Sequence, residues 1–172
     1  MLRRTLASTI FLGAVCALPA SASDDDSNTL ASFDGGIGVI PLATSAVRTV
    51  APAGQIWVID SLDARVKTNG RITVKGKGLI LGAGNSAGRA TGQSVIATLI
   101  CQAAAPFTLS STPTPGSLLS PTGDFKIDEV LSPLPPVPCD SPMLLIRNAA
   151  NGGWFAAGIL DPVTSSHGDR DD

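Results

Sequence analysis

Apolar and polar positions alternate along this chain at two depths. In residues 94–101 (SVIATLIC) nearly every position is apolar or β-branched: Val95, Ala97, Leu99 and Cys101 fall on one face of an extended segment, Ile96, Thr98 and Ile100 on the other. A strand with no solvated face belongs in the middle of a fold, so this segment is expected to be central, with the others packed around it. Residues 123–127 (GDFKI) alternate, which predicts a half-buried strand with Phe125 and Ile127 inward. Residues 56–59, 143–147 and 154–159 read as further strands, and 107–110 as a short one. Between 30 and 50 the pattern is broken by Gly35, Gly36 and Gly38, and one edge strand is expected there. Residues 111–121 are a loop by composition, and 131–139 (LSPLPPVPC) are extended without a ladder, because proline has no N–H to donate.

Around Asn69-Gly70 the hairpin register follows from the same pattern. A two-residue turn would set Val66 opposite Thr73 and mix the faces. A three-residue loop, Thr68-Asn69-Gly70, sets Val66 opposite Ile72 and Ala64 opposite Val74, with Gly70 in the left-handed position of a bulge. The second register segregates apolar from polar residues and is the expected one. Its polar face then carries Arg65, Lys67, Arg71, Thr73 and Lys75, with Lys77 just beyond.

Composition turns these segments into a fold class. The chain has 172 residues, 18 Gly, 13 Pro, no Tyr and a single glutamate, Glu129. That suits many short strands joined by turns far better than long helices. The expected class is all-β, with one domain over residues 30–162. Residues 23–29 form an acidic lead-in and 163–172 a polar tail.

Residues 1–22 read as an export signal, with Arg3 and Arg4 before a short apolar stretch and Ala20-Ser21-Ala22 as the cleavage site. About 14 apolar residues are too few to span a bilayer, and no later stretch is long enough, so a secreted, periplasmic or cell-surface mature chain without a transmembrane segment is expected. Without Arg3 and Arg4, and with all 14 acids kept, 10 bases remain and the formal charge moves from −2 to −4, which does not suit a nucleic-acid partner. Loss of Cys16 leaves Cys101 and Cys139, an even pair in an oxidising compartment, and a disulfide is expected between them.

Candidate chemistry is sparse. Leu79-Ile80-Leu81 followed by Gly82-Ala83-Gly84-Asn85-Ser86-Ala87 fits a dinucleotide fingerprint, but the next regular segment is β-branched, not a helix, and no acid stands about 20 positions on. It reads as a loop, and no cofactor is expected. The three aspartates 24–26 lack the glycine-spaced ligand loop that calcium needs, and with the cysteines paired no metal site is expected. The one histidine, His167, sits in the tail, which removes a nucleophile–histidine pair. Carboxylate pairs remain: Asp60 with Asp63, or Asp124 with Asp128 and Glu129. Trp57 and Trp154 lie within apolar strands; Trp154, at a strand start, is the better candidate for an aromatic contact to a sugar.

The G-D-F-x-I strand at 123–127, the Pro138-Cys139 loop and the apolar strand Leu144-Leu145-Ile146 ending in Arg147 resemble the second half of prealbumin-like β-sandwich modules, such as carboxypeptidase regulatory and pollen Ole e 1-like domains. The likeness covers about residues 95–150 and is absent before them, where the "G-x-V" opening is missing. It implies a single antiparallel β-sandwich, Ig-like or prealbumin-like in layout, of about 7–9 strands, with a binding or structural use. The expected function is therefore an exported, non-catalytic module, structural or adhesive, that meets an anionic polysaccharide or other cell-surface component through Arg65, Lys67, Arg71, Lys75 and Lys77. The alternatives are a plain solvent-facing strand pair, whose lysines discourage edge pairing, and a small secreted hydrolase using a carboxylate pair.

Overall fold

The computed structural model describes residues 28–162. The expected export signal, the aspartates 24–26 and His167 lie outside the described residues.

Eleven strands follow in order: β1 (Thr29–Gly38), β2 (Trp57–Val58), β3 (Ser61–Lys67), β4 (Arg71–Lys77), β5 (Ile80–Leu81), β6 (Ser94–Ile100), β7 (Ser110–Ser111), β8 (Ser117–Leu118), β9 (Phe125–Val130), β10 (Met143–Asn148) and β11 (Trp154–Asp161). Nine form one antiparallel sheet, β7-β6-β10-β11-β1-β3-β4-β9, with β8 also on β6; β2 and β5 pair separately. The ends of the large sheet meet. Ser111 N–H donates to Ser132 O (3.0 Å) and Ser132 N–H to Ser111 O (2.9 Å), while Ser120 N–H donates to Asp124 O (2.9 Å). Between these two clasps β9 and residues 112–117 stay apart, leaving a seam cleft of about 260 Å³.

The antiparallel all-β class is as expected, but the layout is one nearly closed sheet, not two separate layers. Pairing continues without a break from β6 through β10, β11, β1, β3 and β4 to β9, so strand twist accumulates until the ends touch. Register shifts between Phe33 and Gly36 and between Ile146 and Arg147 supply local bends. The interior is filled by side chains such as Phe33, Val66, Ile72, Leu99, Leu144 and Ile146, all essentially solvent-free.

Residues 95–100 are buried on both faces, as the doubly apolar pattern requires. The hairpin adopts the three-residue register: Val66 pairs with Ile72 and Ala64 with Val74, and Gly70 has φ +80°. Cys101 and Cys139 form a disulfide, with Cα atoms 4.8 Å apart. The glycine-rich loop after β5 is folded back on itself by Gly88 N–H to Leu81 O and Leu81 N–H to Arg89 O, and it leads to β6 with no helix between.

Two expectations are corrected. The edge strand sought between 30 and 50 is β1, a ten-residue interior strand between β11 and β3. Its glycines are part of the strand: the register shift lies between Phe33 and Gly36, and at Gly38 the Trp57 backbone comes too close for any side chain. The strand expected at 107–110 shrinks to β7, because Thr108 N–H is taken by the Gln102 side-chain carbonyl (3.0 Å) instead of a ladder partner.

Arg48 clips the long connection after β1 onto this body. Its Nη1 donates to Ile100 O (2.8 Å) and Ser141 O (2.6 Å), and its Nη2 to Ser141 Oγ (2.6 Å). Hydrogen bonds from a charged group contribute about 1.5–3 kcal/mol, and this one is only partly screened from water. Arg48→Ala is therefore expected to lower stability by roughly 2 kcal/mol, and Arg48→Lys to recover only part of it, because a single ammonium nitrogen lacks the planar two-nitrogen fork that makes all three contacts. A urea midpoint unchanged in Arg48→Ala would contradict that role.

Candidate functional site: a basic sheet face

The outer face of β3, β4 and β9 is built by strict alternation. Leu62, Ala64 and Val66 of β3, Ile72 and Val74 of β4, and Phe125 and Ile127 of β9 point inward and are buried. The residues between them necessarily point out. Register then sets the cross-strand rows: Asp34, Asp63, Lys75 and Lys126 in one; Ser32, Arg65, Thr73 and Asp128 in the next; Lys67, Arg71 and Val130 toward the hairpin end, with Lys77 opposite Ser61 at the other end. Neighbours within a row are close enough for their side-chain ends to interact.

Four of the expected bases, Arg65, Lys67, Arg71 and Lys75, thus share one patch, while Lys77 stands at its margin. Arg65, Lys67, Arg71 and Thr73 line a shallow depression of about 150 Å³. Lys126 is a member that sequence reasoning left out. The alternation of 123–127 already turned it outward, but only the β4–β9 pairing brings it beside Lys75.

Acids punctuate the patch. Arg71 Nη2 donates to Asp128 Oδ1 at 2.8 Å across β4 and β9, with both side chains substantially exposed. Such a pair contributes about 0–1 kcal/mol and is easily exchanged for another anion. Asp63 stands opposite Lys75. The face is therefore a mixed array with excess positive charge, not a uniform field.

The other candidates resolve differently. Trp154 is only 7% exposed and its indole N–H donates to Ser45 O (2.9 Å), so the candidate aromatic contact is a core residue with no open ring face. Trp57 stacks on Phe155 with ring centroids 4.1 Å apart. Asp124 accepts from Gly78 N–H (3.1 Å) and Thr122 Oγ1 (3.2 Å), holding the β8–β9 turn against the end of β4. Asp128 is engaged with Arg71, and Glu129 is exposed beside the seam cleft. Among the described residues no cluster of three or more metal-ligating side chains occurs, and no helix is long and apolar enough to cross a membrane.

No family model matches the chain, and no curated protein or solved structure is significantly similar to it.

Proposed function

We propose that this chain is an exported, non-catalytic β module, structural or adhesive, that holds an acidic polysaccharide on the outer face of β3, β4 and β9. The carrying observation is the row-by-row register that gathers Arg65, Lys67, Arg71, Lys75 and Lys126 from three adjacent strands onto one face. Adjacent strands lie about 4.8 Å apart, so the charged ends form a two-dimensional array able to meet a polyanion at several points. The Cys101–Cys139 disulfide supports the exported part of the reading, because such bonds persist in oxidising compartments. A prealbumin-like kinship belongs to the same reading and is supported by the G-D-F-x-I strand and by the antiparallel all-β fold. The hydrolase built on Asp124 with Asp128 and Glu129 draws no support, since Asp124 and Asp128 already have binding partners within the fold.

Binding to polygalacturonate and to neutral dextran, at low and high salt, tests the proposal. The expected result is binding to the acidic polymer alone, weakened by salt, because exposed charges are screened beyond about 10 Å at 0.1 M. Reversing Lys75 and Lys126 to glutamate should reduce low-salt binding at least about tenfold. Salt-insensitive binding, no binding, or binding that survives the reversal would discard the basic face as the site.

A further inference from the structure

A second cation sits elsewhere in the fold. Arg147 lies on the face of β10 opposite Ile146, in the row of Ile96 of β6. Its Nε donates to Gly152 O (2.8 Å) and its Nη1 to Thr98 Oγ1 (3.3 Å), which in turn lies 2.9 Å from Ser111 Oγ. These contacts hold the guanidinium in one orientation. Among the described residues Nη2 is left without a partner and Arg147 pairs with no carboxylate. Among those residues no buried side-chain nitrogen lacks a hydrogen bond, so Nη2 is open to solvent space.

That space is a hollow of about 320 Å³ between the β10–β11 turn, residues 49–54 and Leu109. Among the described residues, Arg147 is the one charged side chain lining it. Val50, Pro52 and Leu109 supply apolar wall, and Asn151 and Thr49 supply polar groups. Asn151 Oδ1 accepts from Gly153 N–H (3.0 Å), which leaves the side-chain amide donors available. Thr49 and its neighbour Arg48 both hold left-handed backbone, φ 74° and 45°, a conformation that costs a non-glycine residue about 1–2 kcal/mol. The rim of this hollow is thus held by strained backbone, and such strain collects at ligand clamps.

We infer that the hollow at Arg147 binds a small organic monocarboxylate, anchored by Arg147 Nη2, flanked by the donors of Asn151 and Thr49, and seated against Leu109 and Val50. A planar fork with one free end and a single positive charge matches a carboxylate better than a doubly charged tetrahedral anion, which asks for more donors. Desolvation lowers the pKa of Arg147 from its ordinary value, the sign of a charge short of compensation, and a bound anion supplies that compensation.

Calorimetric titration of the full chain with butyrate, butyramide, inorganic phosphate and sulfate at fixed ionic strength tests this. Butyrate is expected to bind saturably with a dissociation constant on the order of 1 mM, and butyramide not to bind. Arg147→Gln should abolish the signal. Because Arg147 also braces the turn, a second variant keeps the test independent of folding: Gly54 lines the hollow, has ordinary φ and open space where a side chain would start. Gly54→Glu brings a competing carboxylate to the rim and should weaken butyrate at least about tenfold. Equal binding of butyrate and butyramide, no saturation up to roughly 10 mM, or an unaffected Gly54→Glu variant would overturn the site. Tighter binding of phosphate or sulfate would overturn the assignment to carboxylates. The Lys75→Glu and Lys126→Glu changes leave this titration unaltered, so its failure is separable from failure of the polysaccharide reading.

Discussion

Replacing both Cys101 and Cys139 with serine is expected to lower the unfolding free energy by about 3–4 kcal/mol. The bridge spans a sequence separation of 38 residues, and in the chain-entropy account closing a loop of that size removes a corresponding share of freedom from the unfolded chain. The bridge also acts at a specific place. Cys101 ends the segment that begins with β6, and Cys139 ends the proline-rich stretch that returns to β10, the neighbour of β6. Ser141 N–H donates to Cys101 O (3.0 Å) beside it, so the covalent tie and the start of the β6–β10 ladder are one unit. Guanidinium titration of the wild type and the double variant, with and without reductant, checks this. The wild type should fall to the variant's midpoint when reduced, and the variant should ignore reductant. Coincident midpoints for all four samples would remove the bridge from the account of stability.

Gly123→Ala is expected to lower stability by roughly 2–5 kcal/mol, a large loss for one added methyl group. Gly123 has φ +86°, and a Cβ there would run into the backbone N, C and O of Leu79. Leu79 cannot retreat: its side chain is wholly buried and its N–H donates to Gly123 O (3.0 Å). Two costs therefore combine, left-handed backbone for a residue with a side chain and overpacking against main chain. Gly88→Ala separates them. Gly88 has φ +80° with open space around it, so it should show only the backbone cost, about 1 kcal/mol. Equal losses at the two positions would mean that the crossing of 79 and 123 is not tight.

The same crossing explains why Gly-Asp opens the 123–127 strand. Gly123 admits Leu79 and Asp124 receives Gly78 N–H, so the pair closes the end of β4 over the β8–β9 turn. The dipeptide is structural, and its spacing to Phe125 and Ile127 is what made the segment conspicuous in the sequence.

Much of the local architecture was legible before any coordinates. Period-two alternation fixes which side chains of β3, β4 and β9 share a face, because successive Cβ atoms must point oppositely. The Thr68-Asn69-Gly70 loop set the hairpin register, because only that loop length kept polar and apolar faces apart. The cysteine pair followed from counting the thiols that an expected export signal would leave. Interrupted patterns were harder to read. The glycines of β1 weaken its apolar signal and make an interior strand read as an edge, although they let the Trp57 backbone approach and the strand bend.

Amino-acid order alone determined β3, β4, β6, β9, β10 and β11, the hairpin turn and the outward basic residues, since each depends on neighbours a few positions away. Tertiary structure alone decided that the sheet closes into one near-barrel, that Lys126 joins Lys75, that Asp128 meets Arg71, and that Arg147 faces a hollow with no carboxylate among the described residues. Those outcomes depend on which distant strands become neighbours. That choice is made by burial and twist summed over the whole sheet, and no short stretch of sequence carries it.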